Sequence, residues 1–256
     1  MILGMDIGNT TITFGVFKDG NRLDTWSLSA DQTRTVDEYG LQLVSFFQFK
    51  NWKTEEINGI IISSVVPSLM NTMSRLCREY FNLSPLIVGP GVKTGLNIRY
   101  ENPKEVGADR IVNAVAALQK TTPPLIVVDF GTATTFCYID KNSQYQGGVI
   151  LPGLDLATKA LYEKAAKLPK IEWKQPARVI GKTTVEAMQA GMYYGYASQV
   201  DGLIRKIKEE QQSEAYTIAT GSTSKWLKQE TSEIDEIDEY LTLSGLYAIY
   251  QKNIKE

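Results

Sequence analysis

The chain contains no histidine. That absence excludes Ser-His-Asp triads, imidazole bases, histidine pH switches and histidine-containing zinc motifs, so proton transfer must fall to a carboxylate, a lysine or a tyrosine. Cysteine is nearly missing too. Cys77 and Cys137 stand far apart without metal-ligand spacing, and both lie in apolar stretches, so they read as reduced core thiols rather than a disulfide. No long hydrophobic run occurs; the longest, around residues 60–66, is interrupted by serine and too short to span a bilayer. Neither charge sign is in excess, with 27 basic against 29 acidic residues. The densest basic run, Arg205-Lys206-Ile207-Lys208, meets Glu209-Glu210 at once, which describes a solvated helix face and not the basic stripe of a nucleic-acid binder. The N-terminus enters a strand pattern directly, without a basic start and apolar segment, so a cytoplasmic chain is expected, with neither membrane nor nucleic acid as partner.

What is present is ordinary globular composition, 256 residues with 43% hydrophobic and 22% charged content, enough for one large domain or two smaller ones. The informative feature is a repeat. Residues 2–7 form a buried-strand pattern that ends in the turn Gly8-Asn9-Thr10, and β-branched and aromatic residues follow through Phe17. Residues 125–130 repeat the pattern, with Gly131-Thr132-Ala133-Thr134 and a second strand through Asp140. Asp19-Gly20-Asn21 and Lys141-Asn142-Ser143 then turn into third strands near residues 22–29 and 144–151. Each half therefore opens with a three-stranded antiparallel meander.

After each meander the hydrophobic period changes from 2 to 3.6. In the first half this predicts a helix over 36–49, a buried strand over 59–65, a helix after Pro67 and a strand over 85–88. In the second half it predicts helices over 154–166 and 183–210, a strand over 215–219 and a terminal helix over 241–252. Thr183, with Glu186 three residues on, marks the start of the long helix as a capping box. The expected architecture is two similar α/β domains, residues 1–117 and 118–256, facing across a cleft.

The two turns suit phosphate chemistry. Glycine after a strand end lets main-chain N–H groups approach a ligand, and a following threonine adds a hydroxyl. The aspartate cannot bind phosphate itself, but it can hold a cation that bridges to phosphate oxygens. One such turn would more often be an ordinary hairpin; two at equivalent places in a repeat suggest a phosphate loop on each half. Ile218-Ala219-Thr220-Gly221-Ser222 adds a third strand-to-glycine turn suited to the nucleoside end. Two other glycine-rich segments are decoys. Gly181-Lys182-Thr183 resembles the end of a Walker A loop, but the earlier glycine position holds Pro176. The spacing in Gly89-Pro90-Gly91-Val92-Lys93-Thr94-Gly95 is one residue too long for a dinucleotide fingerprint, and no helix pattern follows.

With these loops in view, the chain resembles the actin-like ATPase superfamily that includes acetate and sugar kinases, and specifically the type III pantothenate kinases. The resemblance covers essentially the whole chain. It is carried by Asp6-Ile7-Gly8-Asn9-Thr10, Thr94-Gly95-Leu96 leading to Tyr100, Gly107-Ala108-Asp109-Arg110, Asp129-Phe130-Gly131-Thr132-Ala133-Thr134, Gly147-Gly148-Val149-Ile150-Leu151-Pro152-Gly153 and Gly181-Lys182-Thr183-Thr184. It implies two ribonuclease H-like (actin-like ATPase) domains and ATP-dependent phosphorylation of pantothenate, the first step towards coenzyme A. Asp6, Ile7, Gly8, Asn9, Thr10, Thr11, Ile12, Thr13 and Thr132 would contact ATP, which arrives with Mg²⁺. Asp129 would hold a monovalent cation, potassium or ammonium. Tyr100, Gly107, Ala108, Asp109, Arg110 and Thr184 would bind pantothenate, with Asp109 as catalytic base. The family is homodimeric.

Residue chemistry runs parallel to this. Arg110 can grip a carboxylate bidentately, while Tyr100 and Thr184 supply neutral hydrogen bonds. Asp109 opens a helix pattern, where N–H groups and dipole favour an ionised carboxylate; by position alone a plain N-cap is the simpler reading. Ala187, Gly191 and Gly195 recur every four residues and smooth one helix face, for a subunit contact or for packing within the chain. Tyr193, Tyr194 and Tyr196 beside it read as core or interface aromatics. A regulatory accessory protein on the same fold and a phosphatase or actin-like ATPase remain alternatives at this stage.

Overall fold

In the computed structural model, which describes residues 1–254, the chain forms two compact units. The first comprises residues 1–95 and 102–116 and takes back the C-terminal segment from Leu241; the second comprises 96–101 and 117–240. The chain thus passes between units more often than the single boundary at 117/118 expected from sequence.

The first unit opens with the meander β1 (Ile2–Ile7), β2 (Thr11–Lys18) and β3 (Asn21–Ser29), followed by α1 (Val36–Phe49), β4 (Gly59–Ser64), α2 (Pro67–Phe81) and β5 (Leu86–Ile87). The sheet order is β3-β2-β1-β4-β5, antiparallel through the meander and parallel from β1 onward. The chain continues through β6 (Asn97–Ile98) and α3 (Ala108–Lys120), whose first nine residues belong to the first unit. In the second unit β7 (Leu125–Phe130), β8 (Ala133–Ile139) and β9 (Gln144–Pro152) repeat the meander. Helices α4 (Leu154–Lys164), α5 (Thr184–Ala190) and α6 (Tyr196–Glu210) follow, then β10 (Tyr216–Thr220), α7 (Ser224–Lys228) and β11 (Glu236–Ile237). The closing helix α8 (Leu241–Ile254) returns to the first unit. The second sheet runs β11-β10-β7-β8-β9-β6, with β10 and β11 parallel to β7 as β4 and β5 are to β1. The internal repeat seen in the sequence is therefore a repeat of sheet topology.

Strand alternation decides what each face packs against. Leu3, Met5 and Ile7 of β1 and Ile60 and Ile62 of β4 point to the side of α1 and α2, where Tyr39, Leu43, Phe47, Met73 and Cys77 complete a core. Each large apolar side chain buried there contributes about 1.5–3 kcal/mol. The opposite face carries Gly4 and Gly15; a Cβ on Gly4 would stand 3.7 Å from Leu246, and one on Gly15 3.0 Å from Leu243, so both glycines let α8 lie close to the sheet. The second unit packs Ile126, Val128, Phe130 and Phe136 against Leu154, Tyr196, Val200 and Leu227.

Both cysteines are free and buried, and burial pushes the Cys77 thiol up to about 12. The single helix expected over 183–210 is instead α5 and α6 joined by a π turn at Gly191–Gly195, with a glycine at each end of the turn. Its N-terminus is capped as a variant of the expected box: Glu186 N–H donates to Thr183 Oγ1 at 3.2 Å, but the Glu186 carboxylate accepts from Lys182 N–H at 2.7 Å. Among the described residues no helix is long and apolar enough to cross a membrane.

Candidate active site

The first turn is a tight hairpin. Gly8 N–H donates to Thr11 O at 3.0 Å, and Ala30 N–H donates to Thr10 O at 2.9 Å, tying the hairpin to the end of β3. Asn9, Thr10 and Thr11 are exposed, while Asp6 just before them is half-buried. In register, Asp6 of β1 lies between Thr13 of β2 and Ser63 of β4, so all three side chains share one sheet face, the face that carries Gly4.

The start of α3 comes to the same strand ends. Val65 N–H donates to Ile7 O at 3.1 Å, and its Cγ1 is 3.9 Å from where a Cβ on Gly107 would stand. One residue therefore touches both the end of β1 and the Gly107-Ala108-Asp109-Arg110 segment. A Cβ at position 107 would also run into the Asp109 carboxylate, which explains the glycine: it leaves room for that side chain. Asp109 is not the N-cap. It lies in the first turn of α3, and its Oδ1 accepts the Arg110 N–H at 2.9 Å. Asp109 and Arg110 are both half-buried.

The second turn is one residue shorter, with Gly131 N–H donating to Ala133 O at 3.2 Å. Two further glycines close on it. Gly153 donates to Thr132 O at 2.9 Å, and a Cβ there would stand 2.5 Å from that same oxygen and collide with Gly131 O. Gly221, at positive φ after β10, packs on the Phe130 main chain, where a Cβ would stand 2.7 Å from the carbonyl carbon. The Gly221-Ser222 turn singled out in the sequence is thus set against the Asp129 turn. Tyr196 holds the arrangement from beneath, donating to Pro152 O at 3.0 Å with its hydroxyl 2.6 Å from Thr134 Oγ1. In register, Asp129 lies between Thr135 of β8 and Thr220 of β10.

The donors at this turn fit a singly charged cation. The Asp129 carboxylate lies over Gly131, 3.9 Å from the position of a Cβ there, and the Gly131 and Thr132 carbonyls crowd Gly153 beside it. One carboxylate among main-chain oxygens is a hard, weakly charged set. Among the described residues no three His, Cys, Asp or Glu side chains gather as a metal cluster.

Tyr100 and Thr184 also lie in the second unit. The β8–β9 register shifts between Tyr145 and Gly147, a β-bulge with Gln146 as its extra residue and Gly147 beside it at φ 136°. The Tyr100 ring lies 3.5 Å from where a Cβ on Gly147 would be, and its centroid is 6.5 Å from that of the Tyr145 ring, so Gly147 leaves room for this tyrosine. Thr184 opens α5 and is exposed. Gly181 packs against the main chain of Glu186 and Ala187, so Gly181-Lys182-Thr183 is a helix-start device rather than a phosphate loop. Sequence reasoning singled out neither Ser63 nor the support role of Tyr196, and it took Thr220 only as part of the Gly221-Ser222 turn; the places of Ser63 and Thr220 beside the aspartates are visible only once strand register is known.

Comparison with known proteins follows the same line. A profile of the family described as type III pantothenate kinase matches residues 2–206. A type III pantothenate kinase from Bacillus cytotoxicus is 51% identical over 253 residues, 99% of this chain and 97% of that protein. Among solved structures, a Campylobacter jejuni protein described as a Baf family transcriptional activator aligns with a TM-score of 0.57 at 21% identity, covering 98% of each chain. One from Sinorhizobium meliloti described as a 2-dehydro-3-deoxygalactonokinase aligns with a TM-score of 0.60 at 11% identity, covering 100% of this chain and 98% of that one. The two structural likenesses speak for the fold.

Proposed function

This chain belongs to the type III pantothenate kinases, enzymes that phosphorylate pantothenate in coenzyme A biosynthesis, and from that premise we propose how its residues divide the work. Asp109 is the base. It takes the proton from the primary hydroxyl of pantothenate as that oxygen attacks the γ-phosphorus of ATP, and ADP leaves. The observation that carries this assignment is the glycine at 107, which clears space for the Asp109 carboxylate at a helix start adjoining the end of β1. Residues Asp6 to Thr13 and Thr132 would bind the ATP phosphates through main-chain N–H groups and hydroxyls, and Asp6 would be the carboxylate to hold the accompanying Mg²⁺, which would neutralise phosphate charge. Tyr100, Gly107, Ala108, Arg110 and Thr184 hold pantothenate, Arg110 by its carboxylate. Asp129 seats potassium or ammonium among main-chain oxygens.

Asp109→Asn keeps shape and hydrogen bonding but cannot accept the proton. Turnover is expected to fall about 10²–10⁴-fold with the melting temperature little changed. Steady-state kinetics near the native rate would remove Asp109 from this role.

The same reading includes a cytoplasmic homodimer without membrane or nucleic-acid partners. Support comes from the smooth face on α5 and the π turn. Ala187, Gly191 and Gly195 are exposed, and beyond the adjoining residues and backbone of their own helix no described atom lies within 4 Å of where a Cβ on either glycine would be. Light scattering should give twice the chain mass, and Gly191→Leu should shift it towards one; an unchanged dimer would place the contact elsewhere.

A further inference from the structure

Each acidic turn sits in a row of hydroxyls that runs across three strands. In the first unit the row is Thr13–Asp6–Ser63, on β2, β1 and β4. In the second it is Thr135–Asp129–Thr220, on β8, β7 and β10. Residues paired in register project to one face, with neighbouring strands about 4.8 Å apart, so each carboxylate has a hydroxyl-bearing neighbour on both sides. The correspondence follows from the repeated topology: an antiparallel partner supplies one hydroxyl and a parallel partner the other.

Ser63 is the member of these rows whose position asks for an explanation. It is fully buried, and its Oγ has no hydrogen-bond partner among the described residues. Thr13 differs, since its Oγ1 accepts from Ser27 Oγ at 3.4 Å. The neighbouring serine, Ser64, is also satisfied: its Oγ accepts the Val66 N–H at 3.0 Å. A buried hydroxyl without a partner weakens the folded state, a cost that alanine at that position would avoid. The two residues before it on β4, Ile61 and Ile62, are apolar and fully buried.

We propose that Ser63 is an additional member of the Mg·ATP site, its hydroxyl donating to an oxygen that enters beside Asp6 with the bound nucleotide. The oxygen belongs either to a phosphate or to a water of the accompanying Mg²⁺; both are acceptors of the same chemistry. Ser63 is thereby under-satisfied in the free protein and satisfied in the complex, so the group that weakens the empty fold strengthens the loaded one. This inference rests on reading the Asp6 turn as the phosphate loop.

The test is calorimetric titration of ATP into the full chain, with Mg²⁺ and with EDTA, alongside thermal melts without ligand. Ser63→Ala and the size-matched Ser63→Cys should both bind Mg·ATP about tenfold more weakly, while the ligand-free melting temperature of Ser63→Ala does not fall. A deficit confined to the Mg²⁺ arm identifies a cation-bound water, and one that persists in EDTA identifies a phosphate oxygen. If both variants bind Mg·ATP within twofold of the native protein, Ser63 is only structural and the inference is overturned. Asp6→Asn separates the two levels. Its loss of Mg·ATP binding together with unchanged Ser63 variants overturns this inference alone, whereas native-like binding by Asp6→Asn overturns the reading of the turn.

Discussion

At position 107 a single hydrogen in place of a methyl group decides where a carboxylate can lie. The Asp109 side chain occupies the space a Cβ would take, so Gly107→Ala must displace it. Because misplacing a reacting group by about 1 Å can cost 10²-fold, turnover of Gly107→Ala is expected to drop by that order while ATP binding persists, which kinetics and titration together can check. Asp129 offers a separate test. Exchanging sodium for potassium should raise activity, and Asp129→Ala should erase the difference; an ion-indifferent native enzyme would contradict the cation seat. The residues of Gly107-Ala108-Asp109-Arg110 were legible in the sequence, but the geometry was not. An acidic residue opening a helix reads as an N-cap, whereas in the fold Asp109 stands two positions past the cap, directed over the glycine.

The elements show where periodicity carries information and where it runs out. Helix α1 falls at the predicted bounds because Tyr39, Leu43 and Phe47 mark one face and Thr35 with Glu38 closes a full capping box. Hydrogen bonds from Thr35, the main-chain N–H first and then the hydroxyl, hold the Glu38 carboxyl below its usual value. With a depressed folded-state pKa, this cap stabilises fully above the ordinary glutamate range and is lost as pH falls through the lowered value. Glu38→Gln should therefore lower the melting temperature at pH 7 and make little difference at pH 3; an equal deficit at both would show that the charge is irrelevant. By contrast β6 and β11 are two residues long and α7 is five, too short for any period to register. The π turn was invisible for another reason. Its glycines fit a helix pattern equally well, so the period carries no mark of the wider turn.

At the scale of the whole molecule, two meanders related by an internal repeat have become two sheets that share a five-strand order, β6 being added to the second, each with an acidic-glycine turn after its meander's first strand. That duplication was readable because turns and strand alternation recur in the same order in each half. The membership of the units was less readable, since α8 packs on the first sheet through side-chain fit against Gly4, Gly15 and Gly59, contacts that sequence separation conceals. The turns have also diverged: the first carries an extra residue and exposed Asn9, Thr10 and Thr11, while the second is closed by Gly153 and Gly221. The proposed phosphate loop on one and cation seat on the other would account for the difference. The central claim is that these parts serve phosphoryl transfer to pantothenate and not hydrolysis or nucleotide sensing. The decisive measurement is ADP release by the purified chain with Mg·ATP, with and without pantothenate. The account requires ADP to form only when pantothenate is present, one for each phosphopantothenate; ADP formed at the same rate without pantothenate, or none under either condition, would contradict it.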